Sequence, residues 1–172
     1  MKKLKIFAII LLLIIASCKK KNQDAEPTLP PETQTGADTF GCILNGQVWT
    51  NSPRGQGTLP PLECTPEGNG VLTIIARYST PEKWEDLKFY SINVYGNGQY
   101  PIKKSLRNVA GFFSKTVDMW SQDSDVSEDG LLTITRFDMS NRVIAGTFWF
   151  KLQKTGGTTI EAKNGRFDIT MN

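Results

Sequence analysis

The sequence predicts an all-β domain: an antiparallel β-sandwich or barrel of about eight to ten strands, with one short helix at most. Three observations carry this reading. Short runs of β-branched and aromatic residues recur from residue 39 to the end. Glycine- and asparagine-containing turns separate them. The stretches between them are too short for the crossover helices that a parallel sheet requires. Composition agrees, since 172 residues at 39% apolar, 22% charged and 10% aromatic are enough for one core.

Residues 39–45 and 47–49 flank Asn45-Gly46, a pair that accepts the left-handed backbone of a two-residue hairpin turn. A β-branched run covers 70–78, and residues 88–95 alternate through Tyr90, Ile92 and Val94. Between those two, Thr80 as N-cap and Pro81 at the first helical position predict one or two turns of helix over 81–87. Weaker strand patterns cover 110–114 and 115–121. Residues 131–138 follow the turn Glu128-Asp129-Gly130, and 143–152 follow Ser140-Asn141-Arg142. In the latter strand Ile144, Phe148, Phe150 and Leu152 share one face. Residues 165–171 close the chain with Phe167, Ile169 and Met171 inward and Arg166, Asp168 and Thr170 outward. The last two strands, joined near Gly156-Gly157, are expected to pair as antiparallel neighbours and to merge their apolar sides.

The first seventeen residues read as a leader. Three lysines precede a ten-residue apolar run, 6–15, whose helix would rise roughly 15 Å, about half a bilayer core. The run ends in Ile15-Ala16-Ser17-Cys18, which resembles the lipobox of bacterial lipoproteins. That resemblance implies cleavage before Cys18 and attachment of palmitate-type acyl chains to it, a durable lipid anchor. Residues 18–38 are polar and contain Pro27, Pro30 and Pro31, so they are expected to be a disordered tether ahead of a β domain spanning 39–172. Lys19-Lys20-Lys21 would lie beside anionic head groups.

Charge and cysteine usage narrow the function classes. The chain holds 20 lysines and arginines against 17 acids, and removal of Lys2, Lys3 and Lys5 with the leader leaves 17 against 17. A neutral mature chain gives no argument for nucleic acid. The absence of histidine removes Ser-His-Asp and Cys-His nucleophile systems and imidazole zinc sites. No cofactor and no metal-ligand residues are assigned, and calcium at Asp123–Asp129 is left open. With Cys18 lipidated, Cys42 and Cys64 remain as an even pair in an oxidising compartment, 22 residues apart. A disulfide between them is expected. It would span an irregular Gly/Pro-rich stretch and contribute about 3 kcal/mol by restricting the unfolded chain.

Four segments together resemble a known family: residues 40–49, 132–138, 144–150 and 165–169. They look like the uncharacterised lipoproteins of Bacteroidota known only as a domain of unknown function. The resemblance implies an envelope β domain behind a lipid anchor, and it carries no catalytic residues with it.

Candidate chemistry is sparse. Residues 123–129 form the densest oxygen cluster, but Gly130 stands two places late for a calcium loop and Ile134 takes the place of its bidentate acid. An acidic hairpin loop is the better reading. Glu82, Glu85 and Asp86 around Trp84 offer acids on the expected short helix, where ordinary solvated side chains look the same. Gly96-Asn97-Gly98-Gln99-Tyr100-Pro101 is read as a glycine-rich turn, since no helix follows to make a phosphate site. Trp149, Trp84 and Tyr100 are the aromatics offered as ligand contacts, because aromatic faces stack on sugars. Trp149 points away from the Phe148/Phe150 face, and packing in a second layer is favoured over exposure.

These readings predict a cell-envelope lipoprotein with a non-enzymatic β domain, a binding or structural module. Its partners would be the membrane, through the lipid, and a glycan or an envelope protein. The outer membrane is the expected location, on either its periplasmic or its surface side. Two alternatives stand beside it: an apolar-ligand carrier of lipocalin-like barrel type, and an enzyme using carboxylates without histidine.

Overall fold

Asn45 (φ 48°) and Gly46 (φ 84°) both adopt the left-handed backbone, and they turn β1 (Thr39–Leu44) into β2 (Gln47–Thr50) as the dipeptide predicts. The computed structural model describes residues 28–52, 58–114, 118–120, 129–153 and 157–172. The further strands are β3 (Leu62–Pro66), β4 (Leu72–Ser79), β5 (Trp84–Ser91), β6 (Gly98–Pro101) and β7 (Val109–Ser114). They are followed by β8 (Asp118–Trp120), β9 (Asp129–Asp138), β10 (Val143–Gln153) and β11 (Thr159–Thr170).

These strands form two antiparallel sheets. One has six strands in the order β2-β1-β11-β10-β9-β6, and the other has five in the order β3-β4-β5-β7-β8. The architecture is the sandwich, not a closed barrel. The inward residues of both sheets share one core, and Phe89 of β5 inserts among Phe40, Phe148 and Phe150 at ring-centroid distances of 4.9–6.4 Å. The faces expected for β10 and β11 are observed. Ile144, Phe148, Phe150, Leu152, Phe167, Ile169 and Met171 are all buried, and the two strands pair from Val143–Thr170 to Gln153–Thr159.

Four expectations need correction. The first is the short helix, because residues 84–91 are strand. Thr80 and Lys83 close a tight turn, with the Thr80 N–H donating to the Lys83 carbonyl at 2.8 Å and the Lys83 N–H to Thr80 Oγ1 at 3.0 Å. A threonine followed by proline suits a β-turn as well as a helix start, and the period-two run Glu85, Leu87, Phe89 decides between them. One turn of 3₁₀ helix stands instead at Lys104–Leu106.

Second, two edge strands stand where no strand was expected. Leu62–Pro66 pairs with β4, and Gly98–Pro101 pairs with β9. Each ends in a proline, which an edge strand accepts because one side of it needs no ladder bond.

Third, residues 28–38 are not a free tether. They form a strap over the outward side of the six-stranded sheet, pinned by Asp168, which is only 1% exposed. The Asp168 carboxylate accepts from Thr33 Oγ1 (2.6 Å), the Thr35 N–H (2.8 Å) and the Gly36 N–H (2.7 Å). Arg166 donates to the Pro30 carbonyl at 3.3 Å, and Arg136 donates to the Gln34 carbonyl. The strap therefore covers Asp168, which the alternation alone would leave wet.

Fourth, the expected disulfide is not formed: Cys42 and Cys64 are free, fully buried thiols. They belong to different sheets, Cys42 to β1 and Cys64 to β3, where both pack in the core as small apolar residues. Burial pushes each thiol up to about 12.

Candidate functional site

The outward face of the six-stranded sheet holds the candidate site, and an irregularity in β11 builds it. Across β10, Phe148 faces Gly165 while Phe150 faces Ala162. Across β1, Gly41 faces Arg166 while Ile43 faces Lys163. Both registers slip by one residue in the same place, so β11 carries a bulge at Lys163-Asn164, with Asn164 in the left-handed region (φ 51°). Gly165 then passes beneath the Phe148 ring, where an added Cβ would stand 2.4 Å from it.

Trp149 lies directly opposite this bulge. It is 41% exposed, so the expected second packing layer is corrected: the ring faces outward. The reason is the alternation itself, since both neighbours, Phe148 and Phe150, face the core. The ring lines a groove of about 570 Å³. Thr133 of β9 and Thr147 of β10 put hydroxyls on its floor, and Lys163 and Arg166 of β11 stand along one wall with Glu32 of the strap. Lys163 pairs with Glu161 at 2.9 Å, and Arg166 Nη1 lies 3.9 Å from Glu32 Oε1. An aromatic plate bordered by hydroxyls and charged hydrogen-bonding groups presents both a stacking surface and directional donors and acceptors.

The other two candidate aromatics are elsewhere, so the structure does not gather the three into one site. Trp84 lies on the outward face of the five-stranded sheet, edge-on to Phe113 at 5.3 Å, and its Nε1 donates to Asp86 Oδ1 at 2.7 Å. Burial raises the Asp86 carboxyl, against the lowering effects of that hydrogen bond and of Arg77. Tyr100, on edge strand β6, packs against the core, and its hydroxyl donates to the Gly96 carbonyl at 2.8 Å.

The acids around Trp84 do not converge. Glu82 is in the turn, Glu85 faces the core side of β5, and Asp86 faces outward. Cys18 and residues 123–128 of the acidic loop lie outside the described residues. Sequence reasoning missed Glu32, Lys163 and Arg166 as groove residues. The dipeptide Asn164-Gly165 signalled an irregular backbone, but nothing local signalled that residue 32 returns to the sheet.

The profile of a family described as a domain of unknown function, DUF6252, matches residues 63–169. The matched stretch runs from β3 into β11 and contains Trp149, Lys163 and Arg166, while the strap, β1 and β2 precede it. No curated protein and no solved structure matches the chain.

Proposed function

The chain belongs to the DUF6252 family, and from that premise we propose that it is a lipid-anchored envelope protein whose β domain binds a glycan without catalysing a reaction. Acylated Cys18 is the anchor in this reading. Residues 19–27 then link it to the strap, and nine residues reach at most about 30 Å, so the Trp149 groove works close to the membrane surface. The outer membrane is the bilayer proposed.

The single observation that supports glycan binding is the exposed Trp149 ring in a groove bordered by Thr133, Thr147, Lys163 and Arg166. A sugar ring offers one apolar face for stacking and a rim of hydroxyls for the surrounding donors and acceptors. The core is filled by the Phe40, Phe89, Phe148 and Phe150 rings, which leaves the interior unsuited to the barrel-type carrier alternative.

A glycan array probed with the full chain in nonionic detergent tests the reading. Binding that falls at least tenfold in Trp149→Ala supports it. Equal binding by both proteins, or binding by neither, overturns it. For the anchor, metabolic labelling with a palmitate analogue should mark the wild type and not Cys18→Ala.

A further inference from the structure

A second site stands at one end of the sandwich, on the inward side of the five-stranded sheet. Along β4, β5 and β7 the inward rows match across the strands. Ala76, Leu87 and Phe112 make one row, and Tyr78, Glu85 and Ser114 make the next. The core's apolar filling therefore ends in a row that holds a carboxylate. Glu85 occupies a position where Leu87 and Phe89 continue the pattern, and it is 7% exposed.

Its two oxygens are engaged separately. Trp49, reaching over from β2 of the other sheet, donates Nε1 to Glu85 Oε2 at 2.9 Å. Lys83, from the β4–β5 turn, brings Nζ to 2.9 Å from Oε1. The same ammonium stands 5.6 Å from the Tyr78 ring centroid. Beyond them opens a cleft of about 530 Å³, walled by Leu44, Phe112 and Ile160.

A buried carboxylate beside tyrosine and tryptophan rings is an environment for a cation that sheds its water easily. In this structure a lysine of the protein itself fills that role. Its side chain is 56% exposed and comes from a turn, so it holds the position loosely.

We propose that this cleft is an ammonium-binding site: it accepts a ligand headed by a primary or quaternary ammonium, and Lys83 is the internal occupant that the ligand displaces. The apolar walls take the body of the ligand, and Glu85 excludes anions. The site is on a different part of the fold from the Trp149 groove and does not depend on it.

The test titrates the full chain, in nonionic detergent at constant ionic strength, with tetramethylammonium or methylammonium chloride. Sodium chloride and uncharged tert-butyl alcohol are the controls, and the Trp49 indole N–H resonance is the readout. An ammonium ion should shift that resonance, with tert-butyl alcohol at least tenfold weaker, and the stronger of the two ions identifies the head group. Glu85→Gln should weaken binding at least tenfold. Lys83→Ala should tighten it about threefold or more, because it removes the competitor, whereas a purely structural ion pair predicts no gain. Equal binding of the alcohol, or a Lys83→Ala protein that binds no better than wild type, overturns the proposal. If Glu85→Gln fails to fold, the exposed Lys83→Ala variant decides alone.

Discussion

Asp168 and Glu85 are both buried carboxylates on the strands of one sandwich, yet they are satisfied in opposite ways. Asp168 faces outward and is closed over by a strap that brings hydroxyl and backbone N–H donors to both of its oxygens. Glu85 faces inward and has one indole donor and one lysine from an exposed turn, with a cleft beside it. The difference lies in the donors. Backbone N–H groups and short hydroxyls are fixed once the strap is laid down, so Asp168 is part of the framework. A lysine on a turn is exchangeable, so Glu85 is addressable from solvent.

The largest expected effect in this contrast is that of Asp168→Ala. It leaves several strap donors without an acceptor under cover and should cost about 3 kcal/mol in denaturant unfolding. Thiol labelling then separates strap release from unfolding. Under native conditions Cys42 and Cys64 should stay unmodified by maleimide in wild type and in Asp168→Ala, since burial holds both thiols near 12. Labelling of both thiols under native conditions would show that the strap is inseparable from the core.

Glu85→Gln should cost less, about 1 kcal/mol, because the amide oxygen still accepts from Trp49 while the pairing with Lys83 is lost. A loss as large as that of Asp168→Ala would make Glu85 framework too and erase the contrast.

Acid should also distinguish the two regions. Burial pushes the Asp168 carboxyl up, but hydrogen bonds from Thr33, Thr35, Gly36 and Ala37 together outweigh it and hold the group below its ordinary value. A carboxyl held lower in the folded state contributes stability fully above its unfolded value and loses it as pH falls through the folded one. The contribution of Asp168 should therefore be constant above about pH 5 and decline below about pH 4, so that the wild type loses more stability over this range than Asp168→Asn. Asp138 is also held low, by Arg136 and Asn141, and adds to the decline in both proteins, so the difference between them isolates Asp168. The smallest effect is that of Trp149→Ala, which should change stability by less than about 0.5 kcal/mol, since its ring is half in solvent.

Periodicity made the long strands legible. Ile144 through Leu152 and Phe167 through Met171 announced their buried side through alternation, and Asn45-Gly46 announced its turn. Elements decided by distant partners stayed hidden. Leu62–Pro66 and Gly98–Pro101 are short edges whose strand character comes from β4 and β9, not from their own residues. Glu85 was noticed as an acid, but a helical reading of 81–87 concealed that it points into the sandwich. Trp149 was noticed as the odd ring out, and the bulge that makes room beside it depends on a register visible only across three strands. The strap was the least legible feature, since its proline-rich composition resembles that of a free linker and its acceptor lies at the far end of the chain.

That separation has a kinetic consequence. The bond from the Gly36 N–H to Asp168 spans 132 residues, and β1 completes its ladder only against β11. The middle of the six-stranded sheet thus cannot assemble until nearly the whole chain is present, and such long loops are closed at an entropic cost before their contacts repay it. Folding on the millisecond-to-second scale is the expectation for this topology. A chain interrupted after β10 would leave β1, its hairpin partner and the strap with nothing to dock on.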